Sequence, residues 1–420
     1  MPPERNHVED LRGATRLVVE ATKAVADLVE EMQRTIGGGP ALLGRPLERP
    51  TRGLAAPIYG YVRAVTGLVG AGLDLALAQL ASAIGAGRPR PEHEAILAAM
   101  NGVFGDYLRE TRNPLSIDMR VRHGGRALTL ERQALAETLP QLGSKPLVLV
   151  HGSCMNDLQW NRKGHDHGAA LARDLGYTPV YLHYNSGLHI STSGREFATL
   201  LEKLVSVWPV QIEELVILGH SMGGLVARSA CHDAEGKGHA WREKLGALIC
   251  LGSPHHGAPL ERGGNWVDFL LGISRYSAPL ARLGTIRSAG VTDMRFGSVL
   301  DEDWQDVDRF AFGTDCRAPV PLPEGVRCFA VAGTTAREPT AKLPSDGLVP
   351  VDSALGRCRR PELTLRFPHD HQLLALATKH LDLFDRSEVY DQLKSWLSVA
   401  GAAGSEGGDD RAGTTSDDPA

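Results

Sequence analysis

The chain predicts an α/β fold: a mostly parallel sheet with helices on both faces. Three observations carry this. Short runs such as Pro146-Leu147-Val148-Leu149-Val150 and Gly246-Ala247-Leu248-Ile249-Cys250-Leu251 are apolar throughout, and a strand without alternation is buried on both sides. Stretches with helical period separate these runs. At one point the strand 214–218 passes through a Gly-rich turn straight into an apolar helix.

The elements follow in order. Residues 8–36 place Leu11, Ala14, Val18, Ala21, Val25, Leu28, Val29 and Met32 at helical spacing, and Gly37-Gly38-Gly39-Pro40 stops the helix. A Pro- and Arg-rich linker leads to a second helical stretch, 58–84. Between Ala64 and Ile84 its strongly polar side chains are Asp74 and Gln79. The length suits a membrane span, but the Gly and Ala content and the central Asp argue against one. Residues 1–90 are therefore expected to be a helical accessory region, with membrane-surface contact as the alternative to packing.

A helix over 92–110 leads into a hairpin of 117–122 and 127–130, turned by His123-Gly124-Gly125. Strands are then expected at 146–150, 179–184, 214–218, 246–251, 326–331 and 363–367. Helices are expected near 166–175 and 194–207, from 222, and over 381–398. These make a catalytic domain of residues 91–400. The section 256–312 interrupts the rhythm, and its apolar residues, Trp266, Phe269, Leu270, Leu271, Ile273, Tyr276, Leu280 and Leu283, predict a cap or lid. The tail 401–420 holds almost no hydrophobes and is expected to be disordered.

Composition narrows the classes. A net charge of −5 offers no basic footprint, so nucleic acid is not an expected partner. Six cysteines without a C-x-x-C pair read as free, buried thiols in a reducing compartment. The N-terminal MPPERNHVED has no signal-peptide core, which predicts a cytoplasmic protein. Gly164-His165-Asp166-His167-Gly168 lacks a partner motif at metal-ligand spacing. Neither a metal nor a cofactor is expected.

The chemistry centres on Gly219-His220-Ser221-Met222-Gly223-Gly224. A bare G-x-S-x-G is weak, but here the serine stands between an apolar strand and an apolar helix, the setting of a nucleophile elbow. Small residues at 219 and 223 let the turn be sharp. Ser221 is thus the candidate nucleophile. The backbone N–H of Met222, directly after it, is one candidate oxyanion donor. The N–H of Ser153, in the loop Val150-His151-Gly152-Ser153 after an earlier strand, is the second. Asp346, in Ser345-Asp346-Gly347 after strand 326–331, is the expected acid, with Asp352 and Asp315 as competitors. His380 is the expected base, with His369 and His371 as competitors. His255-His256 reads as a hinge where the insertion leaves the sheet.

Together, Val150-His151-Gly152, Gly219–Gly224, Gly252-Ser253-Pro254-His255-His256-Gly257, Asp346-Gly347-Leu348-Val349-Pro350 and His380-Leu381-Asp382-Leu383 resemble bacterial lipases and esterases of the α/β-hydrolase fold. The resemblance is nearest to the group of the GPI inositol-deacylases, whose eukaryotic members remove an acyl chain from GPI lipids. It covers about 115–400 and leaves residues 1–90 unmatched. It implies a Ser221–Asp346–His380 triad, donors at Ser153 and Met222, a small-molecule or lipid ester as substrate, and no cofactor. The alternatives are acyl transfer to another alcohol by the same triad, and a non-enzymatic binding scaffold of the same fold.

Overall fold

The computed structural model describes residues 91–258, 288–305, 315–340 and 343–402. The expected helices of 1–90, the apolar cap residues between 266 and 283, and the tail from 403 lie outside the described residues. Among those described, no helix is long and apolar enough to cross a membrane.

The chain enters on helix α1 (Pro91–Glu110) and a short hairpin, β1 (Arg120–His123) and β2 (Arg126–Ala127). Helix α2 (Arg132–Thr138) follows, then strand β3 (Pro146–Val150), helix α3 (His167–Leu175) and strand β4 (Thr178–His183). Next come helix α4 (Ile190–Ser206), strand β5 (Leu215–His220), helix α5 (Met222–Lys237), helix α6 (Trp241–Lys244) and strand β6 (Leu245–Leu251). The remainder is α7 (Ala289–Asp293), β7 (Arg327–Gly333), α8 (Val351–Ala354), β8 (Gln372–Ala375) and α9 (Ser387–Ala402).

The strands form one eight-stranded sheet in the order β2-β1-β4-β3-β5-β6-β7-β8. The hairpin is antiparallel, as is its pairing to β4; β4-β3-β5-β6-β7-β8 is parallel. Every residue of β3, β4 and β5 is buried, so both faces of the sheet's centre are covered, as their uninterrupted apolar character requires. Parallel pairing also puts the loops that leave the strands at one end of the sheet, where α/β proteins build their sites.

The C-terminal third departs from the sequence reading. Residues 363–367 are not a strand. Leu363, Leu365 and Phe367 are buried, but Leu365 N–H bonds to Gly356 O (2.8 Å), and the segment packs on the loop after α8. The last strand is β8, which pairs Ala330 with Gln372 and Gly333 with Ala375. Alternating burial marks a surface against which a segment packs, and that surface need not be a neighbouring strand. The final helix also differs from 381–398: residues His380–Phe384 form a 3₁₀ turn, and α9 begins only at Ser387 and runs on to Ala402.

Elsewhere the differences are small. The hairpin strands are shorter than expected, and α4 begins at Ile190 rather than 194. The described end of the insertion is packed rather than loose: Val291, Met294 and Val299 are buried. Buried thiols were expected; Cys154, Cys231, Cys250 and Cys328 are buried, but Cys358 is half-buried and Cys316 is exposed.

Candidate active site

Ser221 links the end of β5 to the start of α5 with φ 54° and ψ −124°. An L-residue rarely adopts a positive φ, and positions that do store strain of about 1–3 kcal/mol. The surroundings hold it there. Ser221 N–H bonds to Leu251 O of β6 (2.8 Å), and Gly224 N–H bonds back to Ser221 O (3.1 Å). The flanking glycines leave no alternative: a Cβ at Gly219 would stand 2.6 Å from Gly224 N, and one at Gly223 would stand 2.2 Å from Val150 O. The elbow therefore crosses directly over the end of β3.

Asp346 and His380 come together in the loops after β7 and β8. His380 Nδ1 lies 2.7 Å from Asp346 Oδ2, and both side chains are buried. The second carboxylate oxygen, Oδ1, accepts from the N–H groups of Leu348 (2.9 Å) and Val349 (2.8 Å). The turn that aims these donors passes through Gly347 at φ 98°. His380 N–H also bonds to Asp346 O (2.9 Å), so the two loops are joined by backbone as well as side chain. The His380 ring lies against Gly252, where an added Cβ would come within 3.2 Å of it.

The competing residues are elsewhere. Asp352 is exposed on α8, and Asp315 is paired with Arg317 (2.9 Å). His369 and His371 lie in a 3₁₀ turn before β8, not after the last strand, and His371 Nδ1 is 3.0 Å from Cys328 O near the start of β7. In a parallel sheet that is the end opposite Ser221. His380 follows the other end of β8.

The loop after β3 approaches Ser221 closely. A Cβ on Gly152 would stand 3.1 Å from Ser221 Cβ, so glycine permits the approach. Ser153 follows, fully buried, and Cys154 beyond it has φ 60°. Cys154 N–H bonds to Ser186 Oγ (3.0 Å), and Tyr184 O–H bonds to His151 O (2.9 Å). These two braces come from the loop that follows β4. No motif marks Tyr184 or Ser186, so the sequence reading did not single them out. Met222 opens α5 on the other side of Ser221.

His220 completes the setting. Its Nε2 is 3.2 Å from His380 O, and its ring lies 4.1 Å from that of Phe384. Burial, with His380 adjacent, keeps its pKa well below the usual histidine value, so it is neutral. Burial likewise depresses His151 to about 3.

Other clusters singled out in the sequence have structural partners. His165 Nε2 and His167 Nδ1 are 2.9 Å apart, His167 Nε2 is 2.9 Å from Leu383 O, and Asp166 accepts from Ala169 N–H at the start of α3. Among the described residues, no group of three or more His, Cys, Asp or Glu is placed to hold a metal ion. His255 and His256 are tied down where a hinge was expected. Arg317 donates to His255 O (3.0 Å), His256 N–H donates to Ser353 Oγ (3.0 Å), and His256 Nε2 lies 2.9 Å from Gly356 O.

Among known proteins, residues 141–318 match the family model described as a PGAP1-like alpha/beta domain. No curated protein matches the chain significantly. Similar solved structures include the mature lipase BlEst2 of Bacillus licheniformis, with 18% identity and a TM-score of 0.39 over 60% of this chain and 91% of that one. Another is the Pyrococcus furiosus esterase PF2001, with 12% identity and a TM-score of 0.37 over 62% of this chain and 82% of that one. With its sheet order and the strained serine between β5 and α5, the chain has the α/β-hydrolase fold, and its residues 141–318 are similar to the PGAP1-like alpha/beta domain.

Proposed function

We propose that the protein is a serine hydrolase that cleaves carboxylic esters through an acyl-enzyme. The observation that carries this is the buried Asp346–His380 pair, 2.7 Å apart, in loops at the same end of the sheet as the strained Ser221. An aspartate on Nδ1 fixes the imidazole tautomer and leaves Nε2 to act as base. In this reading His380 takes the Ser221 proton as Oγ attacks the acyl carbon. The N–H groups of Met222 and Ser153 hold the oxyanion. His380 then protonates the leaving alcohol, and water, activated by the same imidazole, releases the acid. The resemblance to GPI inositol-deacylases makes acyl esters of lipids the first natural substrates to examine.

The test is fluorophosphonate labelling together with hydrolysis of p-nitrophenyl esters of graded chain length. The parent protein should label and turn over, and Ser221→Ala should do neither while unfolding near the parent temperature. A parent that neither labels nor hydrolyses any ester, or a Ser221→Ala protein that still labels, defeats the reading.

A further inference from the structure

Helix α1 precedes every strand of the sheet and carries none of the proposed catalytic side chains, yet it touches both segments that flank Ser221. A Cβ on Gly102 would stand 2.1 Å from Cys154 Sγ, 2.8 Å from its Cα and 2.9 Å from its N. The helix backbone thus lies directly against the loop residue that follows Ser153. One turn on, Asn185 Nδ2 donates to Gly105 O (2.9 Å), and Gly187 packs on Asn101 O so closely that a Cβ would come within 2.2 Å. The same helix receives the chain where the described residues resume at 288. Ser288 O–H donates to Gly102 O (2.6 Å), and Ala289 N–H donates to Asp106 Oδ2 (3.0 Å). Gly290 then lies beside Met222, where an added Cβ would be 3.1 Å from Met222 Cε.

A second, independent tie is ionic. Glu94 near the start of α1 accepts from Arg122 Nη1 (2.8 Å), and the same nitrogen donates to Asp157 Oδ1 (3.0 Å). Asp157 opens the 3₁₀ turn that ends the loop after β3. Burial alone would raise the Asp157 pKa, but His183 and Arg122 hold it below the usual carboxylate range. In this buried arrangement one guanidinium nitrogen bridges two carboxylates, and its loss leaves charge uncompensated.

We propose that α1 is a positioning element for the oxyanion hole. Gly102 sets where the Ser153–Cys154 backbone stands, and Glu94–Arg122–Asp157 pins the far end of the same loop. The inference rests on the reading of Ser153 as an oxyanion donor to a Ser221 acyl transfer. A donor must meet the oxyanion at hydrogen-bond distance in the transition state, and losing one costs about 10²–10³ in kcat. A shift of a few tenths of an ångström at Cys154 should cost a sizeable part of that.

The experiment uses full-length protein and p-nitrophenyl butyrate. Gly102→Ala pushes on backbone atoms of Cys154, and should lower kcat about 10- to 100-fold with KM changed much less. Arg122→Lys keeps the charge but loses the Nε and Nη2 bonds to Gly125 O that aim Nη1 at both carboxylates, and should lower kcat in the same direction by a smaller factor. It serves alone if Gly102→Ala does not fold. Leu108→Ala, in the same helix and fully buried, is the stability control: its Tm should fall while kcat stays near the parent value. Parent-like kcat in folded Gly102→Ala or Arg122→Lys overturns the proposal. So does an equal kcat loss in Leu108→Ala, which would reduce the effect to general destabilisation. An inactive parent that fails to label instead removes the acyl-transfer reading, and this inference with it.

Discussion

At the scale of single residues, Ser221 presents a separable prediction. Its φ of 54° is imposed by the elbow rather than chosen by serine. Ser221→Ala keeps the Cβ and the strain, so its Tm should equal that of the parent. Ser221→Gly removes the Cβ and is at home at positive φ, at a cost of about 0.5–1 kcal/mol in chain entropy. Against strain of about 1–3 kcal/mol the glycine should win. Thermal unfolding of the two variants checks this, and a Ser221→Gly protein less stable than Ser221→Ala would contradict it. The histidines allow a second comparison. His380→Ala should cut kcat about 10⁴- to 10⁶-fold. His371→Ala, whose ring packs on Phe329 at the other end of the sheet, should change stability more than kcat. The opposite ranking in steady-state kinetics would move the base to the other histidine.

At the scale of elements, the proposed site is a set of loops that leave β3, β5, β7 and β8 at one end. The loop after β7 illustrates how geometry there becomes chemistry. Asp346 Oδ1 accepts two backbone N–H bonds, and the turn that aims them needs Gly347 at φ 98°. Nothing stands within 4 Å of a Cβ at that position, so the burden of Gly347→Ala is conformational rather than steric. It should cost about 1 kcal/mol or more. It should also loosen the Asp346–His380 pair, so kcat should fall while KM holds. A Gly347→Ala protein with parent Tm and parent kcat would show that the loop tolerates another path.

At the scale of the whole molecule, burial of neutral histidines makes stability depend on acid. His151, His167, His220 and His255 are fully buried. Burial lowers His151 to about 3 and His167 to about 4, and holds His220 and His255 well below the usual value. Each takes up its proton near pH 6.5 in the unfolded chain but only at much lower pH when folded. Stability is therefore full above about pH 6.5 and falls as pH drops below it, by about 1.4 kcal/mol per pH unit for each histidine engaged. A Tm profile flat from pH 7 to pH 5 would contradict this. The same scale bears on the extent of the proposed catalytic unit. Ile96, Met100, Val103, Phe104 and Leu108 of α1 are buried in the common core. We therefore expect protein lacking residues 1–85 to fold and to hydrolyse soluble esters, whereas removal through residue 115 should abolish both. Circular dichroism and ester assays on the two truncations decide it.

Much of this was legible in the amino-acid order because the signals were local. Apolar runs too short for a buried helix and bounded by turn residues bury both faces as central strands, and β3, β5 and β6 stand close to where those runs lie. Gly219, Ser221, Gly223 and Gly224 report a turn too tight for side chains, and the backbone at Ser221 is as strained as that spacing implies. What needed the tertiary structure was every choice between chemically equal candidates. His369, His371 and His380 differ little as residues. They are told apart by which end of a parallel sheet they occupy, and that depends on β8 being 372–375 rather than 363–367. Gly102 and Cys154 are 52 positions apart, and no local rule announces that one backbone rests on the other. Periodicity records which faces are buried. Only the packed chain decides what lies against them.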